Sequence, residues 1–250
     1  MGNSFFCKVP CLNIYEQASR SSKISSQLLY GEKFRIIKNK KNFYKIKTNF
    51  DNYIGYIRSS KLIDNFEATH KVSALKSRIF KKPYNSKKFE TKNYLPFSSN
   101  IEIIKKQNDY VMFENNKWIK SKDIVKKIKV EKNIKRILKL FLNCKYKWGG
   151  KTFEGIDCSA LLQIFYKYNN KFFPRDTIDQ IKYKKVSIIK KKFKKGDIVF
   201  WKGHVAVCID SKKLIHAYGP EKKVIIMPIH KTIKRIERTA KLKVKKVFRI

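Results

Sequence analysis

The sequence predicts an α+β chain: two small β-barrels in tandem, followed by one mixed α+β domain. Three observations predict it. Short runs of alternating apolar residues, separated by polar or Gly-containing turns, fill roughly the first 128 residues. Their order returns once, at an interval of roughly sixty residues. From residue 129 onward, stretches of helical periodicity alternate with hairpin-like strands. The expected divisions are 1–68, 69–128 and 129–250.

Composition narrows the classes. With 42% hydrophobic and 14% aromatic residues, the 250-residue chain has ample material for buried cores and is not a disordered protein. Its net charge of +41 rests mainly on Lys, since only 9 of the 60 basic residues are Arg. The lysines are spread over nearly every segment, whereas nucleic-acid readers cluster their charge and lean on Arg forks. A solvated Lys-rich surface is therefore expected, with no specific nucleic-acid partner, although association with anions should depend on salt.

Five cysteines without regular spacing do not form a disulfide framework, and Cys7 and Cys11 lack a second ligand pair for zinc. No metal or cofactor is expected. The first residues, Met-Gly-Asn-Ser-Phe-Phe-Cys-Lys, lack a signal-peptide core and the Ser or Thr of a myristoylation signal. No run of about 18 apolar residues occurs. The expectation is a reduced, cytoplasmic protein without a membrane span.

In chain order, residues 33–38, 44–47 and 53–58 read as strands of the first barrel, the last with a kink at Gly55. Leu12-Asn-Ile-Tyr15 is echoed by the run from Leu75 to Phe80, and the run from Tyr56 to Leu62 by that from Trp118 to Ile124. Ile134, Ile137, Leu138 and Phe141 predict a helix over 131–142. The glycines of Tyr146-Lys-Trp-Gly-Gly then allow positive φ and close backbone approach.

Leu161, Leu162, Phe165 and Tyr166 predict a second helix beginning at Cys158, capped by Asp157. A sulfur at a helix N-terminus is favoured as thiolate, the attacking form of cysteine. Cys158 is thus a candidate nucleophile and needs a base. His70 lies between the barrel units and His230 in a polar late segment. His204 and His216 instead belong to two strands joined by a turn near Asp210, and would share one face as cross-strand neighbours. Ala206 and Leu214 would share that face, with Val205, Val207 and Ile209 turned to the core. In this Cys-His-His arrangement His204 is the base, His216 holds its tautomer, and the Cys158 N–H and Tyr146 hydroxyl stabilise an oxyanion. Asp197 reads as a turn residue ahead of a buried strand and Cys208 as core.

The order Tyr-x-Trp-Gly-Gly, Asp-Cys-Ser, Pro-Arg-Asp, Gly-Asp-Ile-Val-Phe, Gly-His-Val and Ile-His-Ala resembles the NlpC-type cysteine peptidases of bacterial cell-wall metabolism. It is most similar to dipeptidyl-peptidase VI-like γ-D-glutamyl-L-diamino acid endopeptidases. The two barrel units resemble bacterial SH3 domains, the first through its Tyr-Gly-Glu and Gly-Tyr-Ile runs. The resemblance implies a papain-like peptidase domain behind two SH3-like β-barrels, with Cys158, His204, His216 and Tyr146 catalytic. It implies that Asp157, Ser159, Arg175, Asp176 and Thr177 line the substrate pocket, the carboxylates suiting the free α-amine of an L-Ala-γ-D-Glu-diamino acid peptide. The barrels would bind wall peptides or narrow the site, or serve only as a stabilising appendage. Ala160 and Ala206 stand where the family carries Gly, small residues in place of small ones. An amidase or acyltransferase on the same cysteine, or a non-catalytic wall- or nucleic-acid-binding protein, are the competing readings.

Overall fold

The computed structural model describes residues 4–59, 62–183 and 192–249. The chain divides into two compact units, Met1–Val130 and Glu131–Ile250.

In the first unit, β1 (Ser4–Cys7), β2 (Cys11–Tyr15), β3 (Ile24–Leu29), β4 (Lys33–Lys40), β5 (Phe43–Thr48), β6 (Ile54–Arg58) and β7 (Leu62–Ile63) form one antiparallel sheet. Its order is β3-β2-β6-β5-β4-β1-β7. Inward residues at strand period, among them Ile14, Leu28, Phe34, Ile46 and Ile57, make its core. Next come β8 (His70–Val72), β9 (Lys76–Phe80), β10 (Glu90–Pro96), β11 (Asn100–Ile101), β12 (Lys105–Gln107), β13 (Tyr110–Glu114), β14 (Lys117–Lys120) and β15 (Ile124–Lys126). Their orders are β10-β9-β14-β13-β12 and β11-β8-β15. Equating β9 with β2 and β10 with β3 reproduces the first order, with β11 and β12 standing for the single strand β4. The strand order therefore repeats along with the sequence.

Gly55 is not a kink. It pairs regularly with Ile46 inside the β5–β6 ladder. A Cβ there would fall 2.4 Å from Ile14 Cγ2, so the residue is small because β2 crosses close against it. Gly31 needs glycine twice over: its φ is +71° and an added Cβ would lie 2.3 Å from Asn100 O. Beside it Tyr30 joins the core built by Val72, Ile79, Leu95 and Phe113.

The second unit contains α1 (Ile134–Leu140), β16 (Lys151–Thr152), β17 (Gly155–Ile156), α2 (Cys158–Tyr168), α3 (Thr177–Gln180), β18 (Asp197–Trp201), β19 (His204–Cys208), β20 (Lys213–Tyr218), β21 (Lys223–Pro228), α4 (Ile229–Ala240) and β22 (Lys246–Arg249). Strands β21-β20-β19-β18-β22 form an antiparallel sheet. Helix α2 packs on β19 and β20 and is buried along its whole length. Helix α1 is shorter than its periodicity predicts. Glu131 N–H donates to Asn169 Oδ1 at 2.7 Å and Asn169 Nδ2 donates back to Glu131 O at 3.1 Å, which ties the expected first turn to the end of α2.

The hairpin also departs from expectation, because β19 is buried on both faces. Ala206 and Cys208 join Val199, Leu214, Ile229 and Ile236 in one apolar cluster, so the histidine face is core as well. Asp197 opens β18 fully buried and is held by Arg249 at 2.7 Å, a structural ion pair. Among the described residues no helix is long and apolar enough to cross a membrane.

Candidate active site

Helix α2 starts at Cys158 because the residue before it caps the helix. Asp157 has extended backbone angles, and its Oδ1 accepts the Ala160 N–H at 2.8 Å. The preceding turn is built on the two glycines. Gly149 takes φ +72° and gives its N–H to Asp157 Oδ2 at 2.9 Å. A Cβ on Gly150 would sit 2.3 Å from Gly155 O, so the turn closes only without one.

The Cys158 sulfur receives the backbone N–H groups of Val205 and Ser159, which brings the tip of α2 to the first residues of β19. The expected stabilised thiolate is not what this environment produces. Burial and, after it, the Asp157 carboxylate push the Cys158 thiol up to about 12, against the Val205 N–H, the Arg175 guanidinium and the Ser159 N–H. The surroundings of the sulfur favour the thiol over the thiolate. Among the described residues no hydrogen bond joins it to either imidazole.

Around Asp157 lies a charged cluster. Arg175 Nη1 and Nη2 grip Asp157 Oδ1 and Oδ2 at 3.0 and 2.6 Å, and Nη1 also donates to Ser159 Oγ at 2.7 Å. Ser159 Oγ in turn donates to Asp157 Oδ1 at 3.0 Å. Together with the Gly149 and Ala160 N–H groups, the donors fill the lone pairs of the carboxylate. Five donors of the protein itself thus reach the Asp157 carboxylate. Arg175 and Ser159 are likewise buried, with Arg175 3% and Ser159 6% exposed. Asp176 and Thr177, at the start of α3, are half-buried.

The histidines lie on β19 and β20. Continuing the observed pairing of Val207 with Ile215 and Cys208 with Leu214 puts His204 and His216 diagonally on one face. His204 Nε2 lies 2.9 Å from His216 Nδ1. Burial lowers His204 to about 4. It also holds His216 well below the usual histidine range, helped by His204 and by Arg235. Both imidazoles are therefore neutral at pH 7. The His216 ring stacks on Tyr218, with centroids 4.6 Å apart and planes at 12°.

Tyr146 is anchored by its N–H to Lys222 O at 2.8 Å. Its phenol is raised to about 12 by burial first and then by Cys158 and Asp157, which places it in the same cluster as a protonated donor. The structure thus gathers Tyr146, Asp157, Ser159 and Arg175 around Cys158, whose sulfur meets β19 at Val205, next to His204 and its partner His216.

Three participants were not predicted. The Val205 N–H is backbone, to which residue identity is blind. Gln180 is fully buried, and its Nε2 donates to Ser159 O at 3.0 Å and Pro174 O at 2.9 Å, tying α3 to the tip of α2. Met227 Sδ lies 3.4 Å from His216 Nε2. Only the register of β20 with β21, where Leu214 pairs with Met227, reveals that contact.

A thiol on a helix tip, with a hydrogen-bonded pair of imidazoles on the strands it packs against, is the set of groups that nucleophilic cysteine chemistry draws on. Residues 143–240 match the NlpC/P60 family and residues 14–62 the bacterial dipeptidyl-peptidase SH3 domain. The chain therefore joins an NlpC/P60 domain, from a family of cysteine peptidases that hydrolyse peptidoglycan, to an SH3 domain of the bacterial dipeptidyl-peptidase type.

Dipeptidyl-peptidase 6 of Lysinibacillus sphaericus is 23% identical over 82% of this chain and 84% of its own length. A gamma-D-glutamyl-L-lysine dipeptidyl-peptidase of Bacillus cereus is 34% identical over 37% of this chain and 30% of its own length. The crystal structure of an NlpC/P60 family protein from Bacillus cereus shares the fold, with a TM-score of 0.82 at 19% identity over 98% of this chain and 99% of that one.

Proposed function

We propose that this chain hydrolyses the bond between γ-D-Glu and the diamino acid of peptidoglycan-derived peptides through an acyl-enzyme on Cys158. One observation carries the reading. The sulfur at the tip of α2 takes the N–H of Val205, the neighbour of His204, whose other flank meets His216 at 2.9 Å. The substrate class is supported by the name of the Bacillus cereus relative, whose 34% identity falls over 100 residues.

Since thiol and imidazole are both neutral, proton transfer accompanies attack. His204 takes the thiol proton as the sulfur bonds to the scissile carbonyl carbon and the π electrons move onto oxygen. The Cys158 N–H and the Tyr146 hydroxyl donate to that oxyanion. Collapse breaks the C–N bond, and the His204 imidazolium gives its proton to the leaving amine of the diamino acid. Water, deprotonated by the same imidazole, then attacks the thioester, and the proton returns to sulfur. His216 keeps the His204 ring in place throughout. Asp176 and Thr177 are proposed to face the substrate, while Asp157, Ser159 and Arg175 hold the wall behind them.

The same reading takes 129–250 as a papain-like domain, because a helix carrying the nucleophile packs on an antiparallel sheet carrying the base. It takes 1–68 and 69–128 as two SH3-like barrels, a division supported by the recurring strand order.

Single-turnover mass spectrometry on L-Ala-γ-D-Glu-diaminopimelate tests this. Wild type should release diaminopimelate and pass through a protein adduct on Cys158, and the Cys158→Ala variant should do neither. No product from folded wild type would sink the peptidase reading. Faster consumption of the adduct by added amines than by water would turn it into an acyltransferase.

A further inference from the structure

The His216 ring uses both of its nitrogens. Nδ1 lies 2.9 Å from His204 Nε2, and Nε2 lies 3.4 Å from Met227 Sδ. A thioether has lone pairs but no proton, so across the second contact only His216 can donate. A neutral imidazole carries one N–H. Given to sulfur, it leaves Nδ1 as an acceptor, and the hydrogen of the His–His bond must then come from His204 Nε2. The other nitrogen of His204, Nδ1, is left bare.

We propose that Met227 is a positioning residue: by accepting the Nε2–H of His216 it passes a fixed tautomer through that ring and makes Nδ1 the basic nitrogen of His204. The surroundings keep His216 in the required neutral form. Its ring is 1% exposed and stacks on Tyr218, and the Arg235 guanidinium lies 5.4 Å from the centroid of that tyrosine. A cation there disfavours a second proton on His216, while Glu221, bound to Arg235 at 2.7 Å, holds it in position.

A carboxylate in place of Met227 would orient His216 equally well but would draw it toward imidazolium. Then both nitrogens would donate, and His204 Nε2 would have to accept, leaving the hydrogen on Nδ1. An uncharged sulfur avoids that. Met227 reaches the ring because β21 pairs His216 with Ile225 and Leu214 with Met227, which puts its side chain diagonally on the same face.

The proposal rests on the peptidase reading only for its effect on turnover; the tautomers can be read without it. In wild type labelled with ¹⁵N-histidine, long-range ¹H–¹⁵N spectra at pH 7.5 should find the hydrogen on Nε2 of both His204 and His216. A His204 hydrogen on Nδ1 would overturn the proposal, whether or not the peptide is cleaved. Met227→Leu removes the lone pairs at similar volume. It should mix the His216 tautomers and lower kcat about threefold to tenfold with KM unchanged, the change a hydrogen bond of about 1 kcal/mol commands. Met227→Gln supplies an oxygen acceptor and should restore the spectrum and most of kcat. Wild-type tautomers and kcat in Met227→Leu would overturn the assignment.

Discussion

The candidate site holds two polar groups of opposite kind. Asp157 and Arg175, 5% and 3% exposed, keep an ion pair with the carboxylate's lone pairs filled by the guanidinium, Ser159 and two backbone N–H groups. His204 and the 1% exposed His216 have no carboxylate partner among their hydrogen bonds, and burial makes them neutral. The difference teaches that burial does not by itself decide protonation. A buried group stays charged where a geometrically matched counter-charge comes with it, and discharges where none does. The first solution gives a rigid platform beneath the nucleophile, the second a ring free to accept its proton.

Breaking the platform should have the largest effect. Arg175→Leu leaves the Asp157 carboxylate buried without its cation and should destabilise the fold by about 3–5 kcal/mol. Urea unfolding of the variant reads this directly. Adding Asp157→Asn should recover much of the loss; a double variant no better than the single one would mean that lost packing, not charge, is responsible.

The imidazole side predicts an acid limit. His204 titrates at about 4 in the folded chain against 6.5 for the ordinary histidine, so the unfolded chain binds its proton first as pH falls. Stability should be full above pH 6.5 and decline toward pH 4 by up to about 3 kcal/mol for this group, with His216 acting in the same direction. Urea midpoints at pH 7.5, 5.5 and 4.5 should fall steadily. His204→Gln should flatten the dependence, and an unchanged slope would assign it to other groups.

The smallest effect expected is that of Ser159→Ala. It removes one acceptor from Arg175 and one donor to Asp157 while leaving the ion pair intact, so a loss of about 1–2 kcal/mol is expected. A loss as large as that of Arg175→Leu would mean that the hydroxyl, not the pairing, holds the platform together.

Local signals carried much of this architecture. The Asp157 cap and the start of α2 follow from a carboxylate ahead of an apolar helical period. The glycine pair announced a turn that admits no Cβ, and the side-chain period of two put His204 and His216 on one face. The strand order of the first unit repeats where the sequence repeats. The first three depend on residues within a few positions, or on the fixed alternation of a strand, and the last on a recurrence over roughly sixty residues.

Long-range contacts decided the rest. The segment ahead of α1 is tied down by Asn169, and glycine at position 55 is required by the approach of Ile14. The Asp157 carboxylate is gripped by Arg175, 18 residues further along the chain. A helix N-terminus argued for a thiolate at Cys158, yet the packing of α2 against β19 removed the water that a thiolate requires. Charge state, unlike helix or strand, answers to solvent exclusion and to partners distant in the chain, and folding alone supplies both.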